Sequence, residues 1–420
     1  MNKRDILSVP ELLVPAGDMD KLKLAMRYGA DAVYVGGEQF GLRAAAGNFN
    51  LKDLQTAVDI VHSHGKKLFL TLNAYVRQGE MAQLDNYLAQ LRSLEIDAYI
   101  VSDPGVLAHV KEREPKRELH LSTQANTTNA AACQFWLRQG VQRVNLAREL
   151  NLDEIASLRQ QTDIELEMFV HGAMCVAYSG RCLLSTALTG RSANEGACAQ
   201  PCRWNYSLVE QTRPEQQFPI EEDAHGSYIM NSRDLCLLDQ LPQLVTAGVD
   251  SLKIEGRMKT LYYVAAVTRV YRAALDSYCA DPENYRCDPL WREELDKVSH
   301  RPYATDFLPV DDASVHAADS SYRRTHDFIA IVREVVDDDT DGAVDGKLAL
   351  IEGRNRFCQG DKIELIGPGM RQYEFRAPDC SAEDGRVVDV VQPNALVWMK
   401  FPAAVAVGDI LRRCKQNQEK

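Results

Sequence analysis

Short apolar runs alternate with amphipathic segments along the N-terminal three quarters of the chain. Eight runs of four to seven residues occur: Glu11 to Ala16, Ala32 to Gly36, Lys67 to Leu72, Ala98 to Ser102, Leu119 to Ser122, Arg143 to Ala147, Ile164 to Val170 and Ser251 to Glu255. Segments such as Met19 to Tyr28 and Leu51 to Ser63 lie between them and have helical periodicity. Such alternation predicts parallel strands joined by helices, and eight repeats indicate a TIM-type (β/α)8 barrel. An open doubly wound sheet is the alternative.

The pattern changes near Asp327, where seven short runs follow one another, separated by Asp, Gly, Pro and Asn. Regular short strands with turn residues between them are typical of a small antiparallel β-barrel or sandwich. The chain therefore divides into a (β/α)8-like catalytic domain, residues 1–310, with a cysteine-rich insertion at 175–238. A small all-β domain, a β-barrel, is predicted at 327–420.

Composition bounds the location and the partners. The 420 residues carry a net charge of −12, which argues against indiscriminate binding to nucleic acid, although a locally basic surface is compatible with it. The first residues, MNKRDILSVPELLVPAG, lack the apolar stretch of a signal peptide, and no run reaches the roughly 20 residues of a membrane span. We expect a cytoplasmic protein with no membrane partner.

Four of the eleven cysteines follow the seventh run with the spacing C-x6-C-x15-C-x3-C: Cys175, Cys182, Cys198 and Cys202. In a reducing compartment, clustered cysteines indicate metal or redox chemistry. Four loop-borne thiolates suit a 4Fe-4S iron–sulfur cluster. Zinc is the alternative, although the C-x2-C knuckle common in zinc sites is missing. Cys236 is a fifth candidate, and its neighbours resemble the start of an amphipathic helix.

In a barrel, the residues that follow the strands share the rim that carries catalysis. Here they include Gln124, Asn126, Arg148, His171, Glu255 and Arg257. No HExxH, GxSxG, P-loop or GxGxxG motif occurs. A nucleophile pair of His171 and Cys175 would leave the other three cysteines of the set unexplained.

Several blocks of the sequence resemble one family. FVHGAMCVAYSGRCLLS, GACAQPCRWNY, IMNSRDLCLL and SLKIEGRMKTLYYVA look like the signature of the collagenase-like peptidase U-32 family. The resemblance runs from about residue 11 to about residue 310, and the C-terminal segment is similar to a small barrel attached to many members. Length and domain order are most similar to the prephenate-dependent tRNA uridine 5-hydroxylase subgroup.

This resemblance implies oxygen-independent hydroxylation of the wobble uridine of tRNA at C5, with a 4Fe-4S cluster and with prephenate as the oxygen source. It puts Cys175, Cys182 and Cys198 on cluster-ligand positions and Cys202 on the fourth, with Cys236 as an alternative. Other members of the family imply a peptidase, or an iron–sulfur hydroxylase of rRNA or of a small molecule. tRNA, prephenate and an electron donor are the expected partners, and the oligomeric state is left open.

Prephenate is a dicarboxylate, and arginine forks bind carboxylates in pairs of hydrogen bonds. Arg43, Arg148, Arg181 and Arg257 are therefore candidates for anchoring it, with Gln124 and Asn126 as further substrate contacts. Glu255, Arg257 and His171 are the catalytic candidates, Glu255 as a general acid or base. An ion pair of Glu255 with Lys253 or Arg257 is the structural alternative.

RNA binding would require a local basic surface. Seven cations are proposed for it: Arg203, Lys259, Arg269, Arg272, Arg301, Arg323 and Arg324. Trp204 and Tyr303 are candidates for stacking on an unpaired base, although burial is the expected role of Trp204.

Overall fold

The structure is a computed structural model that describes residues 9–42, 47–174, 177, 180–204, 207–209, 217–219, 233–305, 323–337 and 347–415. Its N-terminal strands are β1 Glu11–Pro15, β2 Ala32–Gly36, β3 Lys67–Leu72, β4 Ala98–Val101, β5 Glu118–Leu121, β6 Arg143–Asn145, β7 Glu165–Ala173, β8 Ser207–Val209, β9 Gln217–Pro219, β10 Asp234–Cys236, β11 Ser251–Ile254 and β12 Tyr303–Ala304.

Eight of these strands close a parallel barrel. Strands β1 to β7 pair in sequence order, β7 pairs with β11, and β11 returns to β1. The closing pair aligns Leu252 with Met168 and Lys253 with Phe169. The predicted TIM-type barrel is therefore confirmed, and each of the eight predicted runs overlaps one of its strands.

The helices form the outer layer. They are α1 Met19–Arg27, α2 Leu51–Ser63, α3 Met81–Leu91, α4 Pro104–Arg113, α5 Ala130–Arg138, α6 Leu152–Arg159, α7 Leu184–Thr189, α8 Leu241–Thr246, α9 Leu261–Ala280 and α10 Pro289–Lys297. In α2, Leu54, Ala57, Val58 and Val61 are buried at helical spacing, and the Asn50 side chain caps its N-terminus. No helix in the described ranges is long and apolar enough to cross a bilayer.

Strand β7 extends beyond the barrel. Its last three residues, His171 to Ala173, pair antiparallel with β10, and β12 pairs with β10 in turn. The predicted 175–238 insertion therefore returns to the barrel as a strand. The interpretation of Cys236 as the start of a helix is wrong, because Cys236 ends β10 and the next helix begins at Leu241.

The barrel interior holds a network of buried charges. Glu167 of β7 accepts a 2.7 Å hydrogen bond from Lys253 Nζ of β11, and Asn145 Nδ2 donates to the same oxygen. Arg143 contacts Glu11 at 2.6 Å and Glu167 at 3.5 Å. Burial opposes ionisation of Glu167, but Lys253 and Arg143 outweigh it and hold the pKa of this carboxyl below its usual value.

The C-terminal domain is antiparallel, as predicted. Its strands are β13 His326–Asp337, β14 Lys347–Gly353, β15 Phe357–Cys358, β16 Lys362–Ile366, β17 Gln372–Arg376, β18 Cys380–Ser381, β19 Val387–Val388, β20 Val390–Val391, β21 Leu396–Phe401 and β22 Ile410–Cys414. Eight of them form one sheet in the order β17-β16-β22-β13-β14-β21-β18-β19, and β15 pairs with β20. The sheet surrounds its own apolar core, which includes Ile329, Ile351 and Phe357.

Buried ion pairs join the two domains. Arg412 of β22 donates to Glu294 of α10 at 2.5 Å and to Glu364 of β16 at 2.9 Å. Arg269 of α9 contacts the same Glu294 and donates to Gly367 O at 3.3 Å. Arg269, Arg412 and Glu294 are at most 1% exposed. The small domain is therefore fixed to α9 and α10 by charges that water does not reach.

Removal of the shared carboxylate tests this junction. Glu294→Gln leaves the buried guanidinium of Arg269 without its counter-charge and leaves Arg412 with Glu364 alone. We therefore expect the free energy of unfolding to fall by about 3–5 kcal/mol in urea titrations at pH 7. Glu293→Gln, an exposed neighbour, is the matched control and should change stability by less than about 0.5 kcal/mol.

The stability difference between wild type and Glu294→Gln should depend on pH. Hydrogen bonding from Arg412 and the charge of Arg269 outweigh burial and hold the pKa of Glu294 far below its ordinary 4.5. A lowered pKa stabilises the fold above pH 4.5 and loses that contribution as the pH falls further. The stability gap between wild type and Glu294→Gln should therefore shrink below pH 4.5; a gap independent of pH would contradict the assignment.

Candidate active site at the barrel rim

Glu255 follows β11 and lies at the mouth of the barrel. Tyr34 of β2 donates its hydroxyl proton to Glu255 Oε2 at 3.0 Å, and the backbone N–H of Gly256 donates to the same oxygen at 2.8 Å. Lys253 Nζ lies 4.6 Å from the centre of the Tyr34 ring. Two hydrogen-bond donors, Tyr34 and Gly256, therefore orient the Glu255 carboxylate. The Tyr34 ring is itself in contact with Lys253 of the barrel interior.

Arg257 is 4% exposed and donates to oxygens of the protein. Its guanidinium contacts Thr71 Oγ1 at 3.2 Å, Asn48 Oδ1 at 3.2 Å and the carbonyl of Leu42. A side chain at Gly36, at the end of β2, would push this guanidinium away from these contacts. The contacts describe a clamp that ties the segment after β2 to β11. Arg43, the neighbouring predicted anchor, lies outside the described residues.

Gln124 and Asn126 follow β5 in a short 3₁₀ turn, Thr123–Ala125. Gln124 is 6% exposed, and its Oε1 accepts a 3.2 Å hydrogen bond from Ser122 Oγ. Its Nε2 has no hydrogen-bond partner among the described residues. Asn126 adopts a left-handed conformation, with φ of 51°, and donates to Gln124 O. The turn thus presents a fixed amide with an unused donor.

Arg148 follows β6 and lies beside the same mouth. Its Nη1 donates to Ala173 O at 3.2 Å, and its guanidinium carbon lies 5.4 Å from the centre of the Phe169 ring. Lys253 Nζ is also 5.4 Å from that ring. The Phe169 ring therefore lies between two cations, Arg148 at the rim and Lys253 in the barrel interior.

The segment 180–204, termed the cysteine segment, is docked on this rim. Gly180 contacts the Gln124 side chain so closely that an added Cβ would lie 3.1 Å from Gln124 Cβ. The Tyr75 hydroxyl donates to Gly180 O, and its backbone N–H donates to Asn194 O at 3.1 Å. Arg77 forms a 2.5 Å ion pair with Glu195. Contacts from the loops after β3 and β5 thus hold the segment at the predicted face.

Cys182, Cys198 and Cys202 lie within the cysteine segment and are partly exposed. Gln200 N donates to Cys198 Sγ at 3.4 Å, and Ala199 N donates to Ser185 Oγ at 3.0 Å. Backbone N–H donors to sulfur are among the features that tune iron–sulfur thiolates, so the donor chemistry fits such a cluster. No three His, Cys, Asp or Glu side chains of the described residues form a metal-holding group, and Cys175 lies outside those residues. Arg181 begins the segment and is exposed.

His171 and Cys236 occupy a different environment. The His171 ring is 1% exposed and is surrounded by Tyr263, Tyr271 and Tyr303, with ring centres 5.3 to 5.9 Å away. Burial lowers the pKa of His171 to about 3. Burial also raises the pKa of Cys236 to about 11, although a contact with Tyr271 opposes this. Burial thus favours the uncharged forms of both side chains.

The predicted basic surface is only partly correct. Arg269 and Arg301 are 1% and 2% exposed, and Arg301 pairs with Asp234 at 2.9 Å. Arg272 and Arg324 pair with neighbouring carboxylates. Tyr303 is only partly exposed, and its ring stacks on that of His300 with ring centres 4.1 Å apart. The expectation of a buried Trp204 is wrong, because Trp204 is 45% exposed at the end of the cysteine segment.

Sequence reasoning missed three residues of the site. Tyr34 and Phe169 point inward within their strands and support Glu255 and Arg148. Tyr75, three residues after β3, holds the cysteine segment. Their position at the carboxyl ends of barrel strands was the available signal, but aromatic residues there are also typical of core packing.

Comparison with known proteins places this site in a family. Residues 17–317 match the model of peptidase family U32, and residues 324–412 match its C-terminal domain. "tRNA hydroxylation protein P1" of Bacillus subtilis is 38% identical over 98% of this chain and 97% of its own length. "tRNA hydroxylation protein P" of Escherichia coli is 36% identical over 94% of both chains. A 23S rRNA 5-hydroxycytidine synthase of Escherichia coli is 37% identical over 85% of this chain and 53% of its own length. The resemblance seen in the sequence blocks is thereby confirmed, and the chain belongs to peptidase family U32.

Proposed function

We propose that this protein hydroxylates the wobble uridine of tRNA at C5, without molecular oxygen and with prephenate as the oxygen source. The observation that carries this proposal is the docking of the cysteine segment over the unused amide donor of Gln124 at the barrel mouth. Full-length similarity to two proteins named for tRNA hydroxylation supports the choice of RNA.

Gln124 is suited to hold the uracil edge. Its Oε1 accepts from Ser122, which directs Nε2 away from that hydroxyl. Uracil presents carbonyl acceptors, and an unpaired base is commonly recognised by hydrogen bonds to its edges and by stacking. We assign Gln124 Nε2 as donor to a uracil carbonyl. The exposed ring of Trp204, at the end of the cysteine segment, offers a stacking surface.

Arg148 and Arg181 are the proposed anchors of the dicarboxylate, Arg148 at the rim beside Phe169 and Arg181 at the exposed start of the cysteine segment. A guanidinium fork matches a carboxylate in both charge and geometry. Arg257 serves this site through the clamp it forms, and Arg43 is a further candidate. Glu255, oriented by Tyr34 and Gly256, accepts or returns a proton at Oε2 or Oε1.

Cys175, Cys182, Cys198 and Cys202 would hold a 4Fe-4S cluster. With four thiolates such a cluster supplies electron transfer or structural support; with three it leaves one iron as a Lewis acid. If the cluster transfers electrons, an external electron donor is the expected partner. Cys202 is the proposed fourth ligand because it lies on the same segment as Cys182 and Cys198, and Cys236 at the end of β10 is the alternative.

Hydroxylation of rRNA is the second candidate, because a 23S rRNA 5-hydroxycytidine synthase is 37% identical over 85% of this chain. Cytosine carries an amino group where uracil carries the C4 carbonyl. An amide side chain that donates to uracil O4 would therefore meet the amino group of cytosine, a donor instead of an acceptor. Nucleoside analysis of tRNA and rRNA distinguishes the two substrates.

Gln124→Glu tests the uracil contact. The substitution keeps the size of the side chain and replaces its amide donor with a carboxylate. A lost hydrogen bond of about 1–3 kcal/mol lowers hydroxylation roughly 5- to 150-fold. The measurement is liquid chromatography with mass spectrometry of tRNA nucleosides from a deletion strain that carries each variant.

Gln142→Glu is the matched control, because its Oε1 acceptor for Leu119 N at the start of β5 is retained. It should restore 5-hydroxyuridine-derived nucleosides to the wild-type level. Full restoration by a folded Gln124→Glu protein would contradict the role of Gln124. Loss of 5-hydroxycytidine from rRNA in the deletion strain, with tRNA unchanged, would favour the second candidate.

Paired cysteine variants test the ligand set. Cys202→Ser should lose most of the iron and acid-labile sulfide of protein purified without air, because one corner iron loses its thiolate. Cys236→Ser should keep both, as should the control Cys279→Ser on the exposed side of α9. Iron, sulfide and zinc are measured on the same samples. Iron lost from Cys236→Ser but kept in Cys202→Ser would reverse the assignment, and stoichiometric zinc without iron would replace the cluster by the zinc alternative.

A further inference from the structure

A groove of about 870 Å³ lies beside the cysteine segment, on the loops that follow β2 and β3. Its walls are the segment after β2, the loop after β3 and helix α3, and Glu195 closes one end. We term it the amide groove, because Gln39, Asn48, Gln83, Asn86 and Gln90 line it. The proposed chemistry at the mouth does not use it.

One face of α3 forms much of the amide groove. Gln83, Asn86 and Gln90 follow one another at intervals of three and four residues, so they share a helix face. All three are exposed, while Leu84, Tyr87, Leu88 and Leu91 hold the helix on the barrel. Each amide offers a donor and an acceptor in one plane, which is the pattern that reads the edge of a nucleobase.

The charges of the groove select against anionic ligands. Glu38, Glu80 and Glu195 line it, against a single cation, Arg77. Arg77 is already engaged, since its side chain pairs with Glu195 and its backbone N–H donates to Glu80. Phosphates and the dicarboxylate co-substrate would therefore be repelled, whereas a neutral heterocycle would not.

Aromatic groups complete the lining. Tyr75 is 37% exposed and is fixed at the lip by its hydrogen bond to Gly180 O. Deeper in the groove, burial and the nearby Glu38 raise the pKa of Tyr87 to about 12, so its hydroxyl stays protonated. A flat ligand thus meets a ring face at the entrance and hydrogen-bonding groups inside.

The amide groove is connected to the candidate active site by direct contacts. Tyr75 holds Gly180, and Gly180 lies against Gln124. On the other side, Asn48 accepts from Arg257. A ligand in the groove is therefore separated from the base held by Gln124 only by Tyr75 and the start of the cysteine segment.

We propose that the amide groove binds the nucleobase of a nucleotide adjacent to the modified one, by hydrogen bonds to the amides of α3 and stacking on Tyr75. This inference rests on the proposed function, because it requires an RNA substrate. The phosphate between the two nucleotides stays outside the groove, on the side of the cysteine segment where Arg181 is exposed. Recognition of a neighbouring base would add sequence selectivity that the uracil contact alone does not supply.

A binding cycle tests this inference with the full-length protein. The probes are an anticodon stem-loop RNA with an unmodified wobble uridine and two matched RNAs with an abasic site on either side of it. For wild type, one abasic RNA should bind about tenfold more weakly than the intact RNA, the scale of one stacked base. Gln83→Glu/Asn86→Asp should weaken the intact RNA by a similar factor and should no longer distinguish it from that abasic RNA.

Ala89→Glu is the control, because it adds charge to an exposed position of α3 that does not line the groove. It should bind all three RNAs as wild type does, and equal melting temperatures confirm that the variants are folded. Tight binding of intact RNA by the double variant, with the abasic discrimination retained, would overturn the groove assignment alone. A wild-type protein that binds none of the RNAs and leaves tRNA unmodified would overturn the proposed function and this inference with it.

Discussion

The ion pair between Lys253 and Glu167 is the interaction on which the site depends. It joins β11 to β7, the pair of strands that closes the barrel, by a buried 2.7 Å hydrogen bond from Lys253 Nζ to Glu167 Oε1. The Lys253 ammonium also contacts the rings of Tyr34 and Phe169. Tyr34 in turn orients Glu255, and Phe169 lies against Arg148. This single buried charge pair thus supports both Glu255, the acid–base group, and Arg148, the carboxylate anchor. Desolvation of the pair costs free energy, but the pair fixes the geometry of both rim residues.

The extension of β7 is the second constraint. A barrel strand needs only a few residues to close the sheet, yet β7 continues for nine and pairs with β10 beyond the barrel. The cysteine segment follows β7 in the sequence and is held at the rim by Tyr75, Arg77 and Gln124. A loop carries the thiols, but the residues that directly contact this loop follow barrel strands. The strands therefore position the loop that carries the cysteines.

Periodicity alone was enough to predict the barrel strands and the antiparallel domain, because burial on a sheet leaves a regular pattern of apolar positions. Cys236 was misread as helical because LCLL fits either a short buried strand or a helix. The burial of Arg269 and Arg301 could not be predicted, since their counter-charges, Glu294 and Asp234, come from distant parts of the chain. Trp204 was expected to be buried, but it is 45% exposed at the end of the cysteine segment, a long insertion without the periodicity that identifies a buried face. Gln124 was predicted from its place after a strand, while the orientation given by Ser122 is visible only in three dimensions.

Reconstitution is the most direct test of the central claim that the barrel mouth hydroxylates a tRNA uridine. Protein purified without air is incubated anaerobically with prephenate, a reductant and a tRNA transcript, and the digested RNA is analysed by mass spectrometry. We predict that the wobble uridine gains one oxygen atom at C5, and that omission of prephenate abolishes the gain. Cluster-loaded protein that leaves this uridine unchanged while it oxidises another RNA, or cleaves a peptide, would contradict the claim.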